Sequence, residues 1–267
     1  MSAEETGEPE LVTEKRDRAL VVRINRPAAR NALNMATMAA IGTALADADA
    51  DPEVGSVVIT GTGDRAFSAG LDLREFSGGT FTPTPETQQG LSVWGQFLRG
   101  TGGCAKPVIA AVQATALAGG FELLLACDLA VVADDAKLGL PEVKRGLFAA
   151  GGGMYLARRI PLAKALELTL TGEPVTPQQA LDLGLVNAVV PAAQVLDRAL
   201  EYAALISNNG PLAVQATKRL VRTAGFETVS AVRDLHDELY KSVFFSADAK
   251  EGATAFVERR PAVWSGR

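Results

Sequence analysis

Short β-branched runs alternate with longer Ala-rich stretches over the first two-thirds of the chain. Residues 18–25 form an apolar run stopped by Pro27, which predicts a strand. Met38, Ile41, Leu45 and Ala48 recur at helical spacing within residues 35–49. Residues 54–60 are a compact apolar run closed by Gly61 and Gly63, a second strand. Residues 107–112 and 129–133 read as two more strands, and residues 87–99 as a helix. Residues 76–85 mix Gly, Ser, Thr and Pro without a period and are expected to form a mobile loop. Strands alternating with helices imply βαβ units. From Leu162 onward helical patterns dominate, over residues 162–170, 177–183, 192–207, 211–224 and 228–242. The pattern therefore predicts an α/β core followed by a helical region.

Composition narrows the classes. The 267 residues are 48% hydrophobic and 21% charged, which suffices for a full core. A net charge of −5 argues against nucleic acid as a partner. It leaves room for a small anionic ligand, which needs only a few local cations and free N–H groups. No apolar run reaches the roughly 18 residues of a membrane span. Residues 1–10 are acidic, with Gly7 and Pro9, and are expected to be disordered. They show neither the basic nor the apolar region of a signal peptide. Cys104 and Cys127 sit in apolar segments and are expected to be buried free thiols of a cytoplasmic protein. His236 is the one histidine, so neither a zinc site nor a Ser-His-Asp triad is expected. Gly61-Thr62-Gly63 follows a strand but opens no helix, so a dinucleotide fingerprint is set aside. Gly151-Gly152-Gly153 lacks the Lys-Ser/Thr of a P-loop and reads as a flexible turn.

Three segments could carry chemistry. In Ala118-Gly119-Gly120-Phe121-Glu122, paired glycines stand at a strand-to-helix junction. The first N–H groups of that helix have no intrahelical partner and could stabilise negative charge on an oxygen. Glu122 lies among Phe121, Leu123, Leu124 and Leu125, so desolvation should raise its pKa. In Leu140-Pro141-Glu142, a second carboxylate follows a proline between apolar segments. Read alone, Glu122 also fits a surface residue on the helix dipole, and Glu142 a residue that opens a helix. In Phe67-Ser68-Ala69-Gly70-Leu71-Asp72, small residues permit close approach of a ligand. The Leu71 N–H could be a second oxyanion donor, and Asp72 would cap the following segment.

Together these segments resemble the crotonase, or enoyl-CoA hydratase/isomerase, superfamily. The likeness runs from about Leu11 to Arg267. It includes Asn25-Arg26-Pro27, Arg30-Asn31-Ala32-Leu33-Asn34 and the ending from Lys250 to Arg260. The resemblance implies a crotonase (ClpP-like) ββα spiral core over residues 11–195. It implies a helical trimerisation region over 196–267 and assembly as a homotrimer or a dimer of trimers. The ligand implied is an acyl-CoA thioester, with no further cofactor and no metal. Glu122 and Glu142 would be the acid/base pair, and the N–H groups of Leu71 and Gly119 the oxyanion hole. Arg30, Ala32, Ser68, Ala69, Gly70, Asp72 and Leu73 would lie along the coenzyme A moiety or substrate. The acyl chain would meet residues 76–98, Trp94 and Phe148. The implied activity is 2-enoyl-CoA hydration. A carnitinyl-CoA dehydratase-like or isomerase reaction and a non-catalytic acyl-CoA binder are the alternatives, the first because residues 258–267 resemble the ending of carnitinyl-CoA dehydratases.

Overall fold

Val57, Val58 and Ile59 are fully buried, as a central strand covered on both faces requires. The structure, a computed structural model, describes residues 9–80, 82–225 and 227–267. It places those three residues in β3 (Ser56–Gly61), inside a six-stranded sheet. The other members are β1 (Leu11–Arg16), β2 (Ala19–Ile24), β4 (Val108–Val112), β6 (Leu129–Ala133) and β8 (Ala188–Val190). Their order is β1-β2-β3-β4-β6-β8. β1 pairs antiparallel with β2, and every later neighbour is parallel. β1 carries Thr13, Glu14, Lys15 and Arg16 and is mostly exposed. After Leu11 and Val12 it is wholly polar and charged, so its pairing with β2 is what makes it a strand.

A second, smaller ladder steps across the turns of the chain. Leu33 bridges Leu71, Ser68 bridges Ala116, β5 (Ala116–Leu117) pairs with β7 (Leu138–Gly139), and Leu138 bridges Val175. Each turn thus gives one strand to the main sheet, one or two residues to the second ladder, and then a helix. This is the ββα spiral. The helices that close the turns are α1 (Met35–Ala50), α2 (Leu73–Ser77), α3 (Pro85–Leu98), α4 (Gly119–Ala126), α5 (Leu162–Thr171) and α6 (Pro177–Asp182). Asn34 caps α1 by accepting from the Thr37 amide at 2.7 Å.

Several expectations change. Pro9 and Glu10 are held in the fold. The Pro9 carbonyl accepts from Asn25 Nδ2 at 3.0 Å, and the Glu10 carboxylate accepts from Thr37 Oγ1 at 2.8 Å. The disordered segment expected over residues 1–10 therefore does not include these two, and residues 1–8 lie outside the described residues. The loop expected over 76–85 begins inside α2, because Asp72 caps that helix by accepting from the Arg74 and Glu75 amides. Phe81, in the same loop, lies outside the described residues.

The boundary expected at 195/196 falls at the start of α7 (Val195–Ser207), which packs on β3, β4 and β6 with Val195, Ala199 and Ala203 buried. The helices that stand apart are α8 (Pro211–Ala224), α9 (Val229–Phe244) and α10 (Ala247–Glu258). None of the described side chains of α8 is buried. α8 is tied to the core by charge: Asp128 receives Lys218 Nζ at 2.8 Å and Arg222 Nε at 2.6 Å. Among the described residues no helix is long and apolar enough to cross a membrane.

Candidate active site

β5 runs straight into α4, and β7 runs straight into the short 3-10 turn Pro141–Arg145. Because β5 and β7 pair in parallel, with Ala116 opposite Leu138 and Leu117 opposite Gly139, the two following segments start side by side. That register brings Glu122 and Glu142 to one place. Glu122 is 6% exposed. Its Oε1 accepts from the amides of Gly151 at 2.7 Å and Gly153 at 3.1 Å. Burial raises its pKa, and those two N–H groups oppose the rise. Both carboxyl oxygens of Glu142 are buried and receive no hydrogen bond from any other described residue. Burial pushes its pKa from 4.5 up to about 6; its own backbone N–H opposes the rise, and the charge of Glu122 adds to it.

The glycines of the junction divide their work. A Cβ on Gly120 would stand 2.2 Å from the Ser68 carbonyl oxygen, so this position admits only glycine. The unusual backbone conformation falls on Ala118 instead, with φ 51° and ψ −130°. A non-glycine residue there carries strain, and the strain sits immediately before Gly119. Gly70, at φ +86°, faces this junction so closely that a Cβ would meet the Gly119 nitrogen at 2.7 Å.

The Leu71 amide is oriented by its bridge. Leu33 donates to the Gly70 carbonyl at 2.7 Å, and the Asp72 amide donates to the Leu33 carbonyl at 3.0 Å. In a parallel ladder the residue between, Leu71, turns its own N–H to the other side. Gly119 is the first residue of α4, so its N–H has no intrahelical acceptor. Two amide donors therefore stand by the buried Glu122 and the half-buried Glu142. That arrangement can stabilise a developing oxyanion while protons move at a neighbouring carbon.

The remaining expected residues divide into scaffold and rim. Ser68 is fully buried, and its Oγ accepts from the Gly70 amide at 3.1 Å. It shapes the loop, and its side chain is not presented to a ligand. The Ala69 amide donates to the Arg30 carbonyl at 3.0 Å. Arg30 is exposed and left-handed at φ 54°, and Ala32 is buried at 9% exposure. The Asp72 carboxylate is engaged by Arg26 at 3.0 Å as well as by the α2 cap. Leu73, at the start of α2, is exposed, as is Phe148, while Trp94 is buried in the core.

The flexible turn expected at residues 151–153 is instead a 3-10 turn, Gly152–Arg158, led in by Gly151, whose amides hold the Glu122 carboxylate. Three glycines in a row offer amides without side chains in the way. That was the signal available in the sequence. Arg26 also escaped, because Asn25-Arg26-Pro27 reads locally as a strand stop.

The family model described as enoyl-CoA hydratase/isomerase matches residues 14–267. The enoyl-CoA hydratase EchA19 of Mycobacterium tuberculosis is 39% identical over 270 residues, covering 97% of each chain. A carnitinyl-CoA dehydratase of Escherichia coli O157:H7 is 38% identical, covering 93% of this chain and 95% of its own. The crystal structure of an enoyl-CoA hydratase from Mycobacterium tuberculosis H37Rv matches with a TM-score of 0.88 at 42% identity, covering 97% of this chain and 100% of that one. With a full-length family match and a shared spiral fold, this chain belongs to the enoyl-CoA hydratase/isomerase family.

Proposed function

We propose that this protein is an enoyl-CoA hydratase that adds water across the 2,3-double bond of a 2-enoyl-CoA. One observation carries the reading: the buried Glu122 and the half-buried Glu142, whose carboxyl oxygens receive no hydrogen bond from any other described residue, follow the paired strands β5 and β7, beside the amides of Gly119 and Leu71. In this reaction the attacking water is held between the carboxyls. Its oxygen bonds to C3 as one carboxylate takes its proton. The π electrons move toward C1, and the thioester oxygen becomes negative. The amides of Leu71 and Gly119 donate to that oxygen. C2 then takes a proton from the other carboxyl, and the charge returns from the oxygen. Dehydration of a 3-hydroxyacyl-CoA is the same path reversed. That second reading is favoured by the carnitinyl-CoA dehydratase match, which reaches 38% identity.

The reaction as written uses no metal and no cofactor beyond the coenzyme A of the substrate. Arg30, Ala32, Ala69 and Leu73 form the rim we assign to coenzyme A. The exposed Tyr240 and Phe244 on α9, Phe245 just after it, and Phe256 and Val257 on α10 support a homotrimer or a dimer of trimers. Two buried free thiols support a cytoplasmic location.

The test is loss of the conjugated enoyl-thioester absorbance on mixing with crotonyl-CoA. Glu142→Gln should lower that turnover by about 10²- to 10⁴-fold. Near-parental turnover in Glu142→Gln, or tight binding of crotonyl-CoA by the parent without turnover, would end this reading.

A further inference from the structure

The guanidinium of Arg26 joins three segments: Glu10 just before β1, the loop at Ala32, and Asp72. Its Nη1 donates to the Ala32 carbonyl at 2.6 Å and to Asp72 Oδ2 at 3.0 Å. Its Nε reaches Glu10 Oε1 at 3.1 Å. The side chains are mostly buried, with Arg26 at 15% exposure and Asp72 at 13%. Asp72 is the residue after Leu71, and Ala32 precedes Leu33, the bridge partner of Leu71. The same planar fork therefore grips both strands of the bridge that aims the Leu71 amide. Asp72 in turn caps α2 through the Arg74 and Glu75 amides, and Glu75 Oε2 accepts from the Met35 amide at 3.1 Å. Glu10 accepts from Asn34 Nδ2 and Thr37 Oγ1 at the start of α1. Leu71 lies on a short bridge rather than inside a long strand, so its peptide plane is fixed mainly by what holds Leu33 and Asp72.

We propose that Arg26 is a positioning residue for the reaction: through Asp72 and the Ala32 carbonyl it sets the direction of the Leu71 N–H toward the thioester oxygen. This rests on the oxyanion role given above to Leu71. Arginine suits the task because its planar fork serves several acceptors at fixed angles, which a lysine ammonium cannot reproduce. A donor moved by about 1 Å costs roughly 10²-fold in rate.

The experiment compares the parent with Arg26→Lys, Asp72→Asn and the double variant. Three quantities are read on each: Tm, kcat and KM for crotonyl-CoA, and the absorption maximum of bound cinnamoyl-CoA. Polarisation of the thioester carbonyl moves that maximum to the red. The expected result is a kcat lower by about 10²-fold with KM nearly unchanged and most of the red shift lost in each single variant. The double variant should be no worse than Arg26→Lys, because Asp72→Asn acts through a contact that Arg26→Lys already removes. The proposal is overturned if band position and kcat stay parental while only Tm falls, or if the parent itself shows no red shift. The shift needs only a bound thioester. A parent that shifts the band but does not hydrate would therefore sink the hydratase reading and leave this one standing.

Discussion

Gly119 faces Leu71 so closely that a methyl group on its Cα would stand 3.5 Å from the Leu71 amide nitrogen. That distance is ordinary contact, so alanine fits, yet its methyl would lie beside both donors of the oxyanion site. Gly119→Ala should fold with stability changed by less than about 1 kcal/mol and lose about 10²- to 10³-fold in kcat for crotonyl-CoA hydration. The neighbouring change gives the opposite pattern. At Gly120 the same methyl would sit 2.2 Å from the Ser68 carbonyl oxygen. Gly120→Ala should destabilise by about 3 kcal/mol or more through overpacking. Urea melts and turnover on the two variants separate a blocked donor from a displaced backbone.

The raised pKa of Glu142 predicts an acid limb. With the Glu142 pKa pushed up to about 6, kcat/KM for crotonyl-CoA should fall as pH drops below about 6. Part of that rise comes from the charge of Glu122. In Glu122→Gln that contribution is removed, so the acid limb of the residual activity should move to lower pH. A pH–rate profile with the limb unmoved would show that the two carboxyls do not share a field.

The same shift predicts a pH-dependent stability. A carboxyl with a raised folded pKa is penalised when it ionises, so the penalty is absent below its unfolded value near 4.5 and complete above about 6. The shift corresponds to roughly 2 kcal/mol, which solvent screening of a half-buried group reduces to about 1 kcal/mol. Glu142→Gln should therefore be more stable than the parent by about 1 kcal/mol at pH 8 and equal to it at pH 4. Thermal melts across that range check the sign.

Asp128 anchors the C-terminal helices. It receives Lys218, Arg222 and the Val108 amide, the last at 2.8 Å, and Arg222 also donates to the Ala126 carbonyl at 2.6 Å. Asp128→Ala leaves two cations against the core without their anion. The expected cost is about 3 kcal/mol. Limited proteolysis within residues 211–244 should speed up more than cleavage in the core.

The central strands were legible because burial on both faces writes an uninterrupted apolar run, as in Val57-Val58-Ile59. Helix α8 was legible to the residue, since Pro211 opens it and Gly225 follows its end. β1 was not, because past Leu11 and Val12 an exposed edge strand of Thr, Glu, Lys and Arg displays no alternation of buried and exposed positions. Nor was the C-terminal helix α10, whose exposed Phe256 and Val257 leave no amphipathic stripe against the core.

For the site, the sequence determined which groups are available: two carboxylates in apolar surroundings, paired glycines at a helix start, and a small-residue loop before Leu71. Composition and local order suffice for that, because burial and backbone freedom are written residue by residue. Only the tertiary structure decided how the groups meet. The β5–β7 register sets Glu142 beside Glu122, Gly151 and Gly153 donate to Glu122 from about thirty residues away, and Arg26 reaches Asp72 across the bridge. These contacts join segments distant along the chain, and no local periodicity encodes which amide or guanidinium will arrive at a given carboxylate.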